Sequence, residues 1–178
     1  SIVRPTAFFK SLSGQIARVQ NNKPYLVFDD GRQTAARPIS DRDLGRFITR
    51  CLTDAEKQNA ILPIGGPGPA LPPRDVGEMI FRLAGKEPRF RQVPVWVMDA
   101  IITALSLGAR VKPDLAAKAE LARIGRYYGT ESMLHLDDET QCYVAEDTPA
   151  FGEDRLEDHI RAVIDGRAEV ALGDHAVF

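Results

Sequence analysis

The chain has no excess of charge of either sign. Its 178 residues include 23 Lys and Arg against 25 Asp and Glu, which gives a formal net charge of -2. A protein that holds phosphate backbones or anionic lipid through its overall field needs a clear positive excess. We therefore expect no nucleic-acid partner and no general attraction to a membrane surface.

Long apolar runs and cysteine clusters are also lacking. The longest apolar stretch, residues 93–108, is interrupted by a proline, an aspartate and two hydroxyl residues, so no integral membrane segment is expected. Cys51 and Cys142 lie far apart, with no further Cys or His at ligand spacing. This excludes a disulfide framework, a zinc site and an iron–sulfur cluster, so no metal site is predicted. Both cysteines are expected to be buried apolar residues.

Short apolar runs alternate with helical periods, which is typical of an α/β fold. Strands are predicted at residues 1–3, 25–28, 61–64 and 89–93. Helices are predicted at residues 11–20, 41–51, 74–84, 94–107, 115–128 and 154–164. The chain opens inside what looks like a strand, so we expect residues upstream of Ser1 to be missing.

Acidic pairs occur at Asp41/Asp43 and at Asp137/Asp138, and either pair could supply a general acid and base. Ser40 can cap a helix whose first turn favours negative charge, which explains the first pair. A loop explains the second pair. We therefore expect solvated, structural roles for both.

Glycines at residues 65–68 follow a strand, as a phosphate loop does, but they match neither G-x-G-x-x-G nor G-x-x-x-x-G-K-[ST]. Pro67 and Pro69 remove amides that a phosphate would need. A structural turn bordering a pocket is the preferred interpretation.

Two other segments are better candidates for a site. Residues 4–9 follow a strand directly, where open α/β sheets bind ligands, although an aromatic-anchored core loop is an equally good interpretation. Tyr127 and Tyr128 stand where a helix ends, and either a functional pocket or packing could explain them.

Taken as a set, several segments resemble the second half of an atypical short-chain dehydrogenase/reductase. They are IVRPTAFFKSL at 2–12, PIS at 38–40, LPIGGPG at 62–68, RIGRYYGTESM at 123–133 and GDHAVF at 173–178. The similarity covers essentially the whole chain. Gly129 departs from it, because the family often has Ala there. The family's N-terminal G-x-x-G-x-x-G loop and Tyr-x-x-x-Lys-like segment have no counterpart in these residues.

The resemblance implies a C-terminal portion of such a protein. Residues 1–92 would supply the last strands of the NAD(P)-binding Rossmann-like domain with interleaved substrate-lobe elements. Residues 93–178 would form a mainly helical substrate-side lobe. Without the preceding strands, Ile2, Val3 and the strand at 25–28 are expected to expose apolar surface.

The branch that the motifs resemble uses NADPH to reduce the 8-vinyl group of divinyl chlorophyllides or protochlorophyllides to ethyl, in chlorophyll and bacteriochlorophyll synthesis. By this resemblance, Pro5, Thr6 and Ala7 would lie near the cofactor. Phe8 and Phe9 would lie near the flat tetrapyrrole, whose π-face suits aromatic side chains. Tyr127 and Tyr128 are candidate proton donors only.

The expected partners are a small tetrapyrrole substrate and the missing N-terminal half of the same protein. The isolated chain is expected to lack NADPH binding and turnover. Its expected location is the cytoplasm of a phototrophic bacterium, or the chloroplast of an alga or plant. Two alternatives stay open: another atypical reductase or epimerase, and a non-catalytic NAD(P)-sensing or assembly protein on the same scaffold.

Overall fold

A computed structural model describes residues 1–169, which contain both strands and helices. The strands are β1 (Ile2–Pro5), β2 (Tyr25–Phe28), β3 (Ile61–Ile64), β4 (Phe90–Val93), β5 (His135–Leu136) and β6 (Tyr143–Val144). The helices are α1 (Phe9–Leu12), α2 (Ile16–Gln20), α3 (Asp41–Thr53), α4 (Pro73–Leu83), α5 (Val95–Gly108), α6 (Asp114–Thr130) and α7 (Leu156–Ile164), with a 3-10 turn at Ala55–Lys57. The predicted α/β class is confirmed. The similar ending at 173–178 lies outside the described residues.

Parallel pairing dominates the strands. β1 pairs with β3 in the register Ile2 to Ile61, and β2 pairs with β4 in the register Tyr25 to Phe90. β5 and β6 form a short antiparallel hairpin. Because parallel strands run in the same direction, the loops that follow β1 and β3 leave the same edge of their sheet. This edge is where the sequence placed its strongest candidate site.

The main core lies between β2 and the helices α2, α4 and α7. Tyr25 and Val27 are each only 4% exposed, so the predicted exposure of this strand is wrong. The helices pack over it, and β4 pairs alongside it. Its other buried members are Phe9, Ile16, Val19, Val76, Ile80, Phe81, Leu156 and Ile160. The predicted exposure of β1 is confirmed at Ile2, which is 58% exposed, whereas Val3 is half-buried.

A second, smaller core lies between α3 and the β1–β3 pair. Ile39, Phe47 and Ile64 are buried there, and Phe151 packs against them. Ile48 of α3 does not belong to this core and is 46% exposed. The stripe that faces the sheet is narrow, and Ile48 falls at its outer edge.

Two local predictions need correction. The single helix predicted over residues 11–20 is instead α1 and α2, separated by a turn at 13–15. Ser13 Oγ donates to the Phe9 carbonyl at 2.8 Å, and Gly14 is a poor helix former, so both favour a break there. Cys142 is exposed rather than buried, because it lies in the β5–β6 hairpin, while Cys51 is half-buried.

Helices α5 and α6 form an antiparallel hairpin with polar links along it. Arg126 Nε donates to Asp99 Oδ1 at 2.5 Å, and Arg123 Nη2 donates to Ser106 Oγ at 2.8 Å. Apart from these links α5 is largely apolar, and Met98 is its only buried residue. Within residues 1–169 no helix has both the length and the apolar character that crossing a bilayer requires.

Candidate functional site

The carboxyl ends of β1 and β3 form the first part of the candidate site. The amide of Thr6, directly after β1, donates to the carbonyl of Ile64, the last residue of β3, at 3.0 Å. This bond continues the parallel pairing by one residue. The loop after β1 and the glycine loop after β3 therefore start side by side.

The extended segment 34–39 packs along these two loops. The amide of Ile39 donates to the Ala7 carbonyl at 2.9 Å, and the amide of Phe9 donates to the Ile39 carbonyl at 3.3 Å. The Thr6 hydroxyl donates to the carbonyl of Arg37. Both ends of the loop after β1 are thus fixed to one neighbouring segment.

Arg37 links this segment to two further parts of the chain, the glycine loop and the segment after β6. Its Nε donates to the Gly68 carbonyl at 2.8 Å. Its Nη1 donates to the carbonyls of Thr148, at 2.6 Å, and Ala145, at 3.3 Å. Sequence reasoning missed this residue, because an arginine inside a loop carries no periodic signal and two of its three partners lie more than 100 residues away.

The glycine loop after β3 is a structural turn, as predicted. The amide of Gly65 donates to the Pro149 carbonyl at 2.8 Å, and that of Gly66 donates to the Arg37 carbonyl at 3.1 Å. A Cβ on Gly66 would lie 1.9 Å from the Pro38 carbonyl oxygen, so only glycine fits this close approach. Since both amides are engaged within the protein, they are not free to hold a phosphate.

The predicted cofactor and substrate residues differ in accessibility. Thr6 and Ala7 are buried, at 7% and 3% exposed, whereas Pro5 is half-buried. Phe9 belongs to the main core, with its ring centroid 5.6 Å from that of His159. Phe8 is half-buried, and of the two phenylalanines it has the more accessible ring. Their roles toward ligands stay predictions.

The structure brings the end of α6 to the same extended segment. The amide of Ala35 donates to Ser132 Oγ at 3.0 Å, and the amide of Met133 donates to the Ala35 carbonyl at 2.9 Å. Ala35 and Arg37 are two residues apart, or roughly 7 Å of extended chain. The helix end that carries the tyrosines and the loop after β1 therefore flank one short stretch of backbone.

Both predicted tyrosines are accessible at this helix end. Tyr127 is 57% exposed and Tyr128 is 52% exposed, with ring centroids 5.9 Å apart. Gly129, next along the helix, is needed for packing, since a Cβ there would lie 2.3 Å from the ring of Phe28. The departure from the family pattern at Gly129 thus coincides with a tight contact between α6 and β2.

Tyr143, a phenol that sequence reasoning missed, contacts Glu131 at this helix end. Tyr143 Oη, from β6, donates to Glu131 Oε2 at 2.7 Å. This hydrogen bond, together with burial and the nearby Tyr127, raises the pKa of Tyr143 to about 12. Glu131 directly follows α6 and could be noted from the sequence, but nothing in the sequence indicated that Tyr143 would contact it.

The predicted solvated role of the first acidic pair is wrong for Asp43. Its carboxylate is fully buried, and Oδ2 accepts the amides of Glu153 and Asp154 at 2.9 and 2.8 Å. Ser40 caps α3 as predicted, accepting from the Asp43 amide at 3.0 Å, and also donates to Asp154 Oδ2 at 2.6 Å. Hydrogen bonds from Arg42, above all, hold the pKa of Asp154 below its usual range. This network attaches the 153–154 loop to the start of α3.

The second acidic pair has the structural role that was expected. Asp137 accepts from the amide of Glu139 at 2.8 Å and from the Thr140 hydroxyl at 2.9 Å, inside the β5–β6 turn. These bonds lower the pKa of Asp137. The Asp137 carboxylate therefore shapes the turn.

Two clefts open near α3 in the described part of the chain. The larger, of about 590 Å³, is lined by Arg46, Arg50 and Phe151, among others. The smaller, of about 270 Å³, lies between Phe9 and His159. Neither cleft is lined by Pro5, Thr6 or Ala7, whereas the smaller one is lined by Phe9, one of the two predicted substrate residues.

The fold is that of the epimerase-like short-chain dehydrogenase/reductases. A UDP-glucuronic acid 4-epimerase from Bacillus cereus, solved with NAD, superposes with a TM-score of 0.50 at 15% identity, over 92% of this chain and 43% of that one. A nucleoside-diphosphate-sugar epimerase from Staphylococcus aureus gives a TM-score of 0.51 at 12% identity, over 89% of this chain and 50% of that one. No family model matches the sequence.

Comparison of sequences identifies a narrower group of relatives than comparison of folds does. The chloroplastic divinyl chlorophyllide a 8-vinyl-reductases of Zea mays and of Oryza sativa subsp. indica are 51% and 53% identical to this chain over its whole length. That of Arabidopsis thaliana is 50% identical over 98% of the chain. The chain spans less than half of these relatives, 42 to 45% of their length. The resemblance found in the motifs is confirmed: the chain is homologous to the divinyl chlorophyllide a 8-vinyl-reductases.

Proposed function

We propose that this chain is the C-terminal portion of a reductase that uses NADPH to convert the 8-vinyl group of divinyl chlorophyllide to an ethyl group. The observation that carries the proposal is the identity of 50 to 53% with enzymes of that name, along essentially the entire chain. We place the protein in a chloroplast, as in the names of these relatives, or in the cytoplasm of a phototrophic bacterium.

Within such an enzyme the two parts of this chain have different tasks. Residues 1–92 contribute late strands of the cofactor-binding domain, and residues 93–178 contribute a mainly helical substrate-side lobe. Pro5, Thr6 and Ala7 form a wall beside the nicotinamide. Phe8 and Phe9 shape the surface that meets the macrocycle, with Phe8 the more accessible ring.

The residues present do not fit the pyrophosphate of a dinucleotide. The sequence contains no G-x-x-G-x-x-G loop. The amides of Gly65 and Gly66 are already engaged by the Pro149 and Arg37 carbonyls. Residues outside these 178 must therefore hold the phosphates, and we assign this chain no step in cofactor binding beyond the wall at Pro5, Thr6 and Ala7.

The chemistry assigned to this chain is orientation and proton supply. The dinucleotide, when bound, supplies a hydride. The ethyl product also needs one proton, which must come from an acid near the vinyl group. Tyr127 and Tyr128 are the candidate donors, because their side chains are accessible at the helix end that bonds to segment 34–39, to which the β1 loop also bonds.

The test compares this chain with a version extended upstream to the full length of its relatives. Each is incubated with divinyl chlorophyllide a and NADPH, with NADH as the cofactor control. Pigments are separated by chromatography, and mass spectrometry detects the gain of two hydrogen atoms. We expect reduction by the extended protein and none by the 178 residues alone.

Two results would contradict the proposal. An extended protein that binds NADPH but leaves the vinyl group intact favours another atypical reductase or epimerase, and epimerase activity on a nucleotide sugar separates the latter. An extended protein that binds the dinucleotide and turns over no substrate favours a sensing or assembly role.

A further inference from the structure

Helix α5 is apolar along its whole length, yet it contributes little to the core. Its 14 residues contain one charged side chain, Asp99, which pairs with Arg126 of α6. Met98 is its only buried residue. A helix that is apolar all round is normally buried, so the composition of α5 indicates a contact that the packing of residues 1–169 does not supply.

The side of α5 that faces away from the core forms an uncharged outer stripe. Residues spaced by three and four positions share one face of a helix, and here that face is exposed. The outer stripe consists of Trp96, Ala100, Thr103, Ala104 and Leu107. The Thr103 hydroxyl donates to the Asp99 carbonyl at 2.7 Å, so the only polar side chain of the stripe has its partner within the helix. The stripe is therefore available for an apolar contact about 16 Å long.

The loop that joins α5 to α6 places cations beside a strongly exposed apolar side chain. Its residues 109–113 include Arg110 and Lys112 and no acidic residue. Val111, between them, is 89% exposed. Both cations are exposed as well, and within residues 1–169 neither pairs with a carboxylate. The tip of the hairpin thus combines apolar surface with unneutralised positive charge.

A lipid surface fits this combination better than a protein groove does. Lysine is depleted from the buried centre of protein interfaces, whereas Lys112 stands next to the exposed Val111. Tryptophan is enriched at the boundary between lipid and water, and Trp96 begins the outer stripe at 67% exposed. Cations beside an inserting apolar residue complement the phosphates of anionic lipids.

We propose that the α5–α6 hairpin docks this protein on the surface of an anionic membrane. The helix lies in the plane of the membrane, with the outer stripe and Val111 against the acyl chains and with Arg110 and Lys112 at the phosphates. The net charge of -2 gives no general attraction to such a surface, so docking depends on this local patch. The surface is independent of the reaction proposed above.

Trp96, the only tryptophan of the chain, reports on the docking directly. The 178-residue chain, and the version extended upstream, are mixed with vesicles of equal parts phosphatidylcholine and phosphatidylglycerol. We expect the Trp96 emission to shift to shorter wavelength and to become protected from acrylamide. Pure phosphatidylcholine vesicles should give a much smaller change, and added salt should weaken binding to the anionic vesicles.

Three variants separate the apolar and the charged contributions in a vesicle sedimentation assay. Val111→Glu should lower the partition coefficient about 10-fold or more, because an inserting apolar side chain is replaced by a charge. Lys112→Gln should lower it about 5-fold, since one cation near the phosphates is lost. Leu52→Glu, the same kind of change at a residue of α3 that is 76% exposed, is the matched control and should leave binding unchanged.

Several results would overturn docking on lipid. One is that the unmodified chain stays in solution with anionic vesicles, or that Val111→Glu binds them equally well. Another is that Trp96 is shielded without lipid in a dimer detected by sedimentation velocity, because the outer stripe then faces a second copy. If the 178-residue chain binds and the extended protein does not, upstream residues cover the stripe instead. None of these measurements involves vinyl reduction, so they are independent of the proposed function.

Discussion

Removing the buried carboxylate of Asp43 should destabilise the chain far more than removing its exposed neighbour. The Asp43 carboxylate accepts two backbone amides, those of Glu153 and Asp154, at 2.9 and 2.8 Å. Hydrogen bonds to charged groups contribute about 1.5 to 3 kcal/mol each, and the alanine variant leaves both amides without their acceptor. We therefore expect Asp43→Ala to lower the free energy of unfolding by about 3 to 5 kcal/mol.

The assay is unfolding followed by far-ultraviolet circular dichroism, in urea and by heating. For a chain of this size, 1 kcal/mol shifts Tm by about 2 to 4 °C, so the expected fall is on the order of 10 °C. Asp43→Asn keeps the shape of the side chain and one acceptor oxygen, so it should lower the free energy of unfolding by about half as much as Asp43→Ala. Asp41→Ala is the matched control, because the Asp41 side chain is 67% exposed and its one ion pair, with Lys10, is 3.6 Å long. Equal losses at Asp41 and Asp43 would refute the reasoning.

Two further perturbations test other parts of the fold. Gly66→Ala should lower the free energy of unfolding by about 1 to 3 kcal/mol, because the new Cβ would lie 1.9 Å from the Pro38 carbonyl oxygen. Gly45→Ala, where a Cβ meets open space within a helix, should raise the free energy of unfolding by about 0.5 to 1 kcal/mol. Urea unfolding compares the two variants, and an unchanged stability of Gly66→Ala contradicts the close approach. Burial lowers the pKa of His159 below its ordinary value of 6.5, against a smaller opposing effect of Asp41. The unfolded chain then binds the proton more readily than the folded one, so the free energy of unfolding should fall as the pH drops below 6.5. His159→Gln should reduce the fall in the urea midpoint between pH 7 and pH 5. An identical pH dependence in the variant contradicts this.

The sequence predicted helix and strand boundaries well where neighbouring residues alone determine the boundary. The Ser40 cap, and the turn at Gly85 with φ +64° that ends α4, depend on neighbouring residues only. The strands at 25–28 and 61–64 were correct to the residue. In contrast, α1 and α2 were merged, because the apolar spacing of 11–20 fits a helix and the break comes from Ser13 bonding back to Phe9.

Sequence reasoning could not predict contacts between residues that lie far apart in the chain. Asp43 looked like an ordinary first-turn acid, since the two amides that bury it lie 110 and 111 residues later. Arg37 had no visible role for the same reason. Tyr25 and Val27 were expected to be exposed because neighbouring strands were missing, but helices packed on the sheet cover them. The candidate site was located by motif resemblance, while its hydrogen bonds became evident only in three dimensions.

The hydrogen bonds of Arg37 make the candidate site a single cooperative unit. Its carbonyl accepts from Thr6 and Gly66, and its guanidinium donates to Gly68, Ala145 and Thr148. Because these bonds share one residue, we expect an opening that displaces Arg37 to free the Gly66 amide, the β1 loop and the segment after β6 together, which hydrogen exchange can follow. Ordering one wall of the site around a ligand would then lower the entropic cost of ordering the other.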